Sequence, residues 1–361
     1  MLVVFVHGWG VRRPDYGSLP DQLRSAFGPE TIDIWLSEYV SYSDEVTMDD
    51  LAQAFERARL SSFPDRDFTC VTHSTGGPVI RTWLDRYNGP LSALVMLAPP
   101  NHGSALAQLG KGRLSRLKSW VEGVEPGQRI LDWLELGSEE SWGLNVRWLE
   151  SNWNGRMLVL TGSTPDRALY DHLNSYTGEP GSDGVVRIAS ANLNYHFMRL
   201  RQGGSSLQCI ESKRSPTTPF LVLRDTSHGG ILNLENTNKS ARPTSMMIVK
   251  VIDSTGHPVD DYDLLLTAGP NYSADALPRG FFVDRQRNTL ARNTLTYFFD
   301  HASLAQSREF GFLLSPRPST GPVSYGPVQF RSKMFLRPNE TTMIEITLDR
   351  LLDSRVFQCF T

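Results

Sequence analysis

The chain of 361 residues contains 40% hydrophobic and 21% charged residues, and its formal net charge is −3 at pH 7. This composition is typical of a globular protein, and the length predicts two domains because a single core rarely grows beyond about 250 to 300 residues. The slightly negative charge argues against nucleic acid as a partner, since a surface that binds a polyanion carries an excess of positive charge.

Three cysteines are spread along the chain, at Cys70, Cys209 and Cys359. They are too few and too scattered for a disulfide framework or a zinc site, so we expect buried, free thiols. We expect no bound metal and no cofactor. The amino-terminal apolar run is far shorter than a secretory signal, and no stretch approaches the roughly 18 apolar residues of a membrane span. We therefore expect a soluble, cytoplasmic protein, with export by a route other than general secretion left open.

Strands and helices alternate over the first 235 residues, which predicts a mostly parallel sheet. The predicted strands are Leu2–Val6, Thr31–Tyr39, Phe68–Thr72, Leu91–Ala98, Arg156–Thr161, Gly184–Ala189 and Pro219–Leu223. The predicted helices are Met48–Leu60 and Val79–Tyr87. This pattern indicates an α/β domain over residues 1–240.

A polar, aperiodic stretch between Leu234 and Ser245 predicts a linker, and we place the domain boundary near residue 240. Short runs of alternating character follow it, separated by turn residues. These runs are Met246–Ile252, Tyr262–Ala268, Leu295–Phe299, Glu309–Leu314, Val328–Phe335 and Thr341–Leu348. Repeated strands without helices predict a small all-β sandwich over residues 241–361.

The most informative motif is Thr-His-Ser-Thr-Gly-Gly around Ser74, which stands between the predicted strand ending at Thr72 and the helix beginning at Val79. A serine on such a sharp strand-to-helix turn projects its Oγ into a cleft and acts as a nucleophile. Ser-Thr-Gly also occurs at Ser254 and Ser319, but prolines and turn residues follow both copies. The sequence therefore predicts the nucleophile at Ser74 and turns at the other two sites.

A nucleophilic serine needs a base and a carboxylate that orients the base. His228 follows the last predicted strand of the first domain in a loop with two glycines, and Asp183 lies at a Ser-Asp-Gly turn before it. We predict His228 as the base and Asp183 as the acid. Rival acids are Asp166, Asp171 and Asp225, and His7 is the rival base.

Backbone amides must stabilise the oxyanion that forms when Ser74 attacks. The amide that follows the nucleophile, that of Thr75, is one expected donor. The second is expected directly after the first strand, where His-Gly-Trp-Gly begins at His7. Glycine lets the backbone approach a substrate there, so we predict Trp9 or Gly8 as the second donor.

Five segments together resemble the α/β-hydrolase superfamily, in particular its lipase-like branch of bacterial lipases and the deacylase of glycosylphosphatidylinositol anchors. They are His7-Gly8, Thr72–Gly77, Ala98–Ser104, Asp183–Val186 and Ser227-His228. The resemblance covers about residues 1–235 and implies a Ser74–Asp183–His228 triad, in the chain order that this superfamily uses. Thr72 stands where the family motif has its first glycine. The antiparallel strands that usually come first are missing, so we expect a reduced sheet of about six strands.

Five of the eight tryptophans lie between Ser104 and Trp153, where lipases carry a cap or lid. They are Trp120, Trp133, Trp142, Trp148 and Trp153. Such a segment suits a cover over an acyl chain, or equally the inward faces of helices packed on the sheet. Basic residues precede the tryptophans and suit transient contact with an anionic lipid surface, or a solvated helix face. These are Lys111, Arg113, Arg116 and Lys118.

The sequence thus predicts a serine hydrolase of carboxylic esters, a lipase, phospholipase or esterase that acts through an acyl-enzyme. An acyltransferase that uses the same triad is an alternative, and so is an inactive hydrolase fold that serves as a binding protein. The carboxyl-terminal domain is expected to bind a partner or a surface, or to stabilise the enzyme. Its acidic residues Asp253, Asp260, Asp261 and Asp263 are interpreted as turn residues, with a calcium-dependent membrane module as the lesser alternative.

Overall fold

The computed structural model describes residues 1–8, 16–34, 43–112, 127–165, 180–232 and 242–356. The chain divides into two compact units. The first consists of Met1–Asn194 and Pro216–Arg242, and the second of Tyr195–Ser215 and Pro243–Thr361.

The first unit is built on a six-stranded sheet in the order β2-β1-β3-β4-β5-β8. Its strands are β1 (Val3–Val6), β2 (Ile32–Ile34), β3 (Phe68–His73), β4 (Leu91–Leu97), β5 (Arg156–Gly162) and β8 (Phe220–Leu223). Every neighbouring pair runs parallel. All four residues of β1 are buried, as expected of an inner strand covered on both faces. The predicted α/β-hydrolase fold with a reduced, parallel sheet is confirmed.

Helices connect these strands. They are α1 (Leu19–Phe27), α2 (Met48–Ser62), α3 (Gly76–Tyr87), α4 (Ala105–Gly112), α5 (Gln128–Leu134), α6 (Glu139–Trp148) and α7 (Ile188–Ala191). Helix α2 begins with a capping box, in which Thr47 Oγ1 accepts from the Asp50 amide and the Asp50 carboxylate accepts from the Thr47 amide. Helix α3, which follows Ser74, is buried from Gly76 to Leu84. Its packing in the interior fixes its position.

One predicted strand is absent. The apolar run Gly184–Ala189 forms a buried turn and the start of α7. The amides of Val185 and Val186 donate to Asp183 Oδ1, at 2.9 and 2.7 Å, so they are not available to a neighbouring strand. Burial of an apolar run does not by itself distinguish a strand from a buried loop.

The second unit is built on nine strands in the order β10-β13-β15-β7-β6-β16-β9-β12-β11. They are β6 (Tyr195–Gly203), β7 (Ser206–Arg214), β9 (Thr244–Asp253), β10 (Tyr262–Ala268), β11 (Phe282–Arg287), β12 (Thr294–Asp300), β13 (Glu309–Pro316), β15 (Val328–Lys333) and β16 (Thr341–Leu348). The described part of this unit also contains a short helix, α8 (His301–Leu304), and a separate pair of strands, β14 (Val323–Ser324) with β17 (Leu351–Leu352).

We expected a sandwich of two sheets, whereas these nine strands form one hydrogen-bonded sheet. The sheet curls on itself, because the hydroxyl of Tyr297 on β12 donates to the carbonyl of Leu264 on β10, 2.9 Å away, although the two strands lie near opposite edges. Side chains from eight of the nine strands share one buried apolar cluster, so the curled sheet encloses the core that two stacked sheets would enclose.

The hairpin of β6 and β7 differs from the predicted boundary. Residues 195–215 lie before residue 240 in the chain, yet they belong to the second unit. Strand β6 pairs in parallel with β16, from Tyr195↔Thr341 to Arg201↔Thr347. Each of these residues of β6 is therefore paired with a residue 146 positions later in the chain. A pairing at that separation leaves no local signal that assigns the hairpin to the later domain.

Asp253, one of the predicted turn acids, is a buried carboxylate at the end of β9. It accepts hydrogen bonds from Thr255, the His257 amide, Tyr325 and Arg350. Burial acts to raise the pKa of this carboxyl, but the hydrogen bonds, led by those from Thr255 and Arg350, hold it well below its usual range. Asp253 therefore stabilises the turn after β9.

The structure describes two of the three cysteines, and both are free thiols. Cys70 on β3 is buried, as expected. Cys209 is exposed, because it lies on β7, most of whose residues are exposed, so the prediction of a buried thiol is corrected there.

Candidate active site

Ser74 lies in the turn between β3 and α3 with a positive φ of 50°. A residue other than glycine held in this region stores about 1–3 kcal/mol of strain and persists only where its surroundings fix it. Here the Ser74 amide donates to the Leu97 carbonyl at 2.8 Å, and the Gly77 amide donates to the Ser74 carbonyl at 3.0 Å. This is the geometry of the predicted nucleophile elbow.

Ser74 Oγ, His228 and Asp183 form one line of hydrogen bonds. His228 Nε2 lies 3.0 Å from Ser74 Oγ, and His228 Nδ1 lies 2.9 Å from Asp183 Oδ2. The His228 side chain is 13% exposed, whereas Asp183 is fully buried. The structure therefore brings the three predicted residues together, with the imidazole between the hydroxyl and the carboxylate.

Both oxygens of Asp183 have partners. Oδ2 faces His228, while Oδ1 accepts the amides of Val185 and Val186. In addition, the His228 amide donates to the Asp183 carbonyl at 3.0 Å. The turn that begins at Asp183 thus orients the Asp183 carboxylate towards the imidazole of His228, because the amides of the turn hold its other oxygen.

The rival residues occupy other places. Asp225 is exposed and has a positive φ of 51° in the turn after β8. Asp166 and Asp171 lie outside the described residues. His7 is buried at the end of β1, and burial lowers its pKa to about 4. Among the described residues, His228 is the hydrogen-bond partner of Ser74 Oγ.

The structure describes two of the three expected oxyanion donors, the amides of Thr75 and Gly8. Within the described part of the chain no acceptor engages the Thr75 amide, which stands at the amino terminus of α3, directly after Ser74. The Gly8 amide instead donates to the Tyr16 hydroxyl at 2.7 Å, so the prediction of Gly8 as a donor to the oxyanion is corrected. Trp9 lies outside the described residues.

Gly8 nevertheless contacts the elbow closely. A Cβ at this position would lie 2.9 Å from Ser74 Cβ, closer than real side chains come. Only glycine lets the end of β1 approach the serine to this extent. Gly8, which precedes the predicted donor Trp9 in the chain, therefore packs directly against Ser74.

Solved structures of known proteins identify the family. Phospholipase PlaB from Legionella pneumophila matches with a TM-score of 0.91 and 38% sequence identity, over 100% of this chain and 96% of that chain. A second structure of the same phospholipase, in complex with thio-NAD, matches with a TM-score of 0.89 and 36% identity over the same shares. This chain belongs to the PlaB family. No family model and no curated protein matches it.

The PlaB-family chain is accordingly an α/β-hydrolase and a carboxylic ester hydrolase, as the sequence predicted. The resemblance to the lipase-like branch is confirmed. In the described part of this hydrolase, no group of three or more His, Cys, Asp or Glu side chains is arranged to hold a metal ion, and no helix is long and apolar enough to cross a membrane.

A buried polar network supports the elbow of this PlaB-family enzyme from behind. Arg81 on α3 is fully buried and donates to Asn101 Oδ1 at 3.2 Å and to Asn145 Oδ1 at 3.0 Å. Its guanidinium also lies over the ring of Trp148, 5.2 Å from the centroid. The network links α3 to the loop after β4 and to α6, and so fixes the helix that begins beside Ser74.

Several tryptophans of the tryptophan-rich segment, residues 104–153, pack in the interior of the first unit. Trp133 on α5 and Trp142 and Trp148 on α6 are buried, and the Trp153 indole donates to the Leu91 carbonyl at 3.1 Å. The three buried tryptophans lie on inward helix faces, which was one of the two alternatives, whereas Trp153 lies in the loop before β5. Trp120 and the side chains of the four basic residues lie outside the described residues, so a lid over residues 104–153 stays a prediction.

Gly162, at the end of β5, was not singled out by the sequence. A Cβ there would lie 2.1 Å from the Thr226 carbonyl oxygen and 3.1 Å from Asp183 Cβ. We expect Gly162→Ala to lower kcat about 10- to 100-fold and the free energy of unfolding by about 1–3 kcal/mol, because the loop that carries His228 must move. Ester hydrolysis and urea unfolding measure the two effects.

Gly229→Ala is the matched control, since a Cβ at Gly229, next to His228, meets nothing within 4 Å. It should leave kcat within about twofold of the wild-type value. Equal losses in the two variants would contradict the role assigned to the close contact at Gly162.

Three buried histidines of the first unit make its stability depend on pH. Burial lowers the pKa of His7 to about 4, and burial and the nearby charge of His228 lower that of His73 to about 3. Burial and the charge of Arg81 lower the pKa of His102 to about 3. In the unfolded chain each titrates near 6.5, so below that pH the unfolded state takes up protons that the folded state does not.

The free energy of unfolding should therefore fall as the pH decreases from about 6.5 towards 4, by up to about 1.4 kcal/mol per pH unit for each histidine. Urea titrations followed by tryptophan fluorescence suit the measurement, because all eight tryptophans lie within the first 153 residues. A constant free energy of unfolding between pH 6.5 and about 4.5 would contradict the buried, neutral state of these side chains.

Proposed function

We propose that this enzyme is a phospholipase that cleaves a carboxylic ester of its lipid through an acyl-enzyme on Ser74. The observation that carries the proposal is the hydrogen-bonded line Ser74 Oγ–His228–Asp183, with the Thr75 amide beside it. The lipid substrate is supported by the 38% identity to a phospholipase over the whole chain.

The chemistry follows from the positions of the atoms. His228 Nε2 accepts the proton of Ser74 as Oγ attacks the ester carbonyl, and the Thr75 amide donates to the oxyanion. Asp183 holds the proton on Nδ1 and stabilises the imidazolium that forms. The imidazolium then protonates the leaving alkoxide, and a water molecule, activated in turn by His228, releases the fatty acid from Ser74.

The test is product analysis with the full-length protein. Vesicles of a defined diacyl phospholipid should yield free fatty acid and lysophospholipid at a rate proportional to enzyme. Ser74→Ala should abolish both products. Release of a phosphorylated headgroup, or transfer of the acyl chain to an added alcohol without fatty acid, would contradict the proposal and favour a phosphodiesterase or an acyltransferase.

A set of p-nitrophenyl esters with increasing acyl length complements this assay. We expect kcat/KM to rise from acetyl towards longer chains, since a lipid site buries apolar area in proportion to chain length. A preference for acetyl over all longer esters would indicate an esterase with a small pocket.

A further inference from the structure

Two side chains that the proposed reaction does not use connect the parts of the active site. Tyr16 is 1% exposed and His73 is 4% exposed. The Gly8 amide donates to the Tyr16 hydroxyl at 2.7 Å, the Tyr16 hydroxyl lies 2.9 Å from His73 Nδ1, and His73 Nε2 lies 3.1 Å from the His228 carbonyl oxygen. A continuous chain of hydrogen bonds thus runs from the end of β1 to the main chain of the residue that faces Ser74.

The direction of each hydrogen bond follows from the groups involved. A carbonyl oxygen only accepts, so His73 Nε2 carries a proton and donates it to His228. A neutral imidazole then accepts at Nδ1, so the single hydroxyl proton of Tyr16 points to His73. That leaves the Tyr16 oxygen to accept from Gly8, and all three hydrogen bonds are satisfied by one tautomer of His73.

His73 stays neutral in this arrangement. Burial, and then the nearby charge of His228, lower the pKa of His73 to about 3. The two rings lie 5.0 Å apart between centroids. Because His73 carries no charge at working pH, it does not oppose the imidazolium that forms on His228 during the reaction.

The two ends of the chain lie on either side of the nucleophile. Gly8 packs against Ser74, where an added Cβ would come within 2.9 Å of Ser74 Cβ, and His228 Nε2 lies 3.0 Å from Ser74 Oγ. One short chain of hydrogen bonds therefore reaches both the end of β1, which packs against Ser74, and the backbone of the base His228.

We infer that Tyr16 and His73 are positioning residues, which fix the end of β1 and the main chain of His228 in their positions relative to Ser74. The inference rests on the proposed function, because these positions affect the rate only if Ser74 is the nucleophile that His228 activates. Neither residue touches the reacting atoms. Their effect is on the distance and angle of the groups that do, and a displacement of about 1 Å in such groups costs on the order of 100-fold in rate.

Tyr16→Phe tests the inference with the smallest structural change. It removes the hydroxyl and keeps the ring, which makes an edge contact with Phe5 at 5.2 Å. We expect kcat per active site to fall on the order of 10- to 100-fold while KM stays within about twofold, because the loss falls on the transition state rather than on substrate binding. Active sites are counted by titration of Ser74 with a fluorophosphonate, so that loss of folded enzyme does not enter kcat.

His73→Phe breaks the same chain at its second link. We expect a similar fall in kcat, and the double variant should be about as slow as the slower single variant, since both changes disable one unit. Losses that multiply in the double variant would overturn the inference. Should His73→Phe not accumulate as folded protein, the decision rests on Tyr16→Phe.

Tyr297→Phe is the matched control. It also removes a buried hydroxyl, one that donates to the Leu264 carbonyl at 2.9 Å in the second unit. We expect it to leave kcat per active site unchanged. If Tyr16→Phe lowers only the number of active sites or the thermal midpoint, with wild-type kcat per site, Tyr16 is merely structural and the inference fails while the proposed function stands. If the wild-type enzyme is not labelled at Ser74, the proposed function fails and the inference fails with it.

Discussion

Ser74→Ala is expected to lower kcat for ester hydrolysis by about five to six orders of magnitude. Without Oγ no acyl-enzyme forms, and loss of a triad serine costs on the order of a million-fold in kcat where the triad works as a unit. Substrate binding should change little, because the hydroxyl contributes mainly to the transition state. Steady-state hydrolysis of a long-chain p-nitrophenyl ester, read over hours at high enzyme concentration, measures the residual rate.

The chain provides its own controls for this variant. Ser254 and Ser319 stand in the same Ser-Thr-Gly string, and both lie exposed in turns or bends of the second unit. Ser254→Ala and Ser319→Ala should keep wild-type kcat. Residual activity of Ser74→Ala above about 1% would exclude Ser74 as the nucleophile.

Asp183→Asn is expected to lower kcat by about 10⁴-fold with the fold intact. The asparagine carbonyl can still accept the amides of Val185 and Val186, which donate to Oδ1 of the aspartate. Its NH₂ group would then face His228 Nδ1 and force that nitrogen to accept. The proton moves to Nε2, which can no longer take the proton of Ser74. Ester hydrolysis and a thermal unfolding curve separate the rate effect from any loss of stability.

Asp225→Asn tests the rival assignment, in which Asp225, three residues before His228 in the chain, is the acid of the triad instead of Asp183. Asp225 is exposed, and the carboxylate that lies 2.9 Å from His228 Nδ1 is that of Asp183. We expect Asp225→Asn to keep kcat within about threefold of the wild-type value. The opposite ranking, with a larger loss in Asp225→Asn than in Asp183→Asn, would reassign the acid.

Much of the first unit could be predicted from local sequence. The segment Phe68–Thr72 was predicted as a strand and forms β3 (Phe68–His73), and the turn that follows carries Ser74 at a positive φ. Glycines and a following helical pattern identified this turn, because few residue types fit such geometry. The same considerations correctly assigned Ser254 and Ser319 to turns or bends.

Strands with clean alternation were also located well. Tyr262–Ala268 and Thr341–Leu348 have the predicted bounds, because a period of two is visible in the sequence of each strand. Strand β11 (Phe282–Arg287) was missed because it lies at an edge and its second half is polar. Edge strands carry charged residues that hide the alternation.

The features that the sequence did not reveal depend on distant pairings. The hairpin Tyr195–Arg214 belongs to a sheet whose other strands follow residue 243. Likewise, the Tyr16 hydroxyl meets His73 across 57 positions, and His73 meets His228 across 155. His73 has a local signal in its place beside Ser74, whereas Tyr16 stands in the polar stretch Asp15-Tyr16-Gly17-Ser18, which gives no local signal of its buried role.

Treatment of the wild-type enzyme with a fluorophosphonate, followed by peptide mass analysis, shows directly whether Ser74 is the nucleophile. The tryptic peptide from Asp67 to Arg81 contains Ser74 and is free of internal Lys and Arg. We predict one adduct per chain on Ser74 of this peptide, formed in proportion to the loss of activity and slowed by phospholipid substrate. Complete inactivation with the adduct on another peptide, or full activity after Ser74 is modified, would show that Ser74 is not the nucleophile.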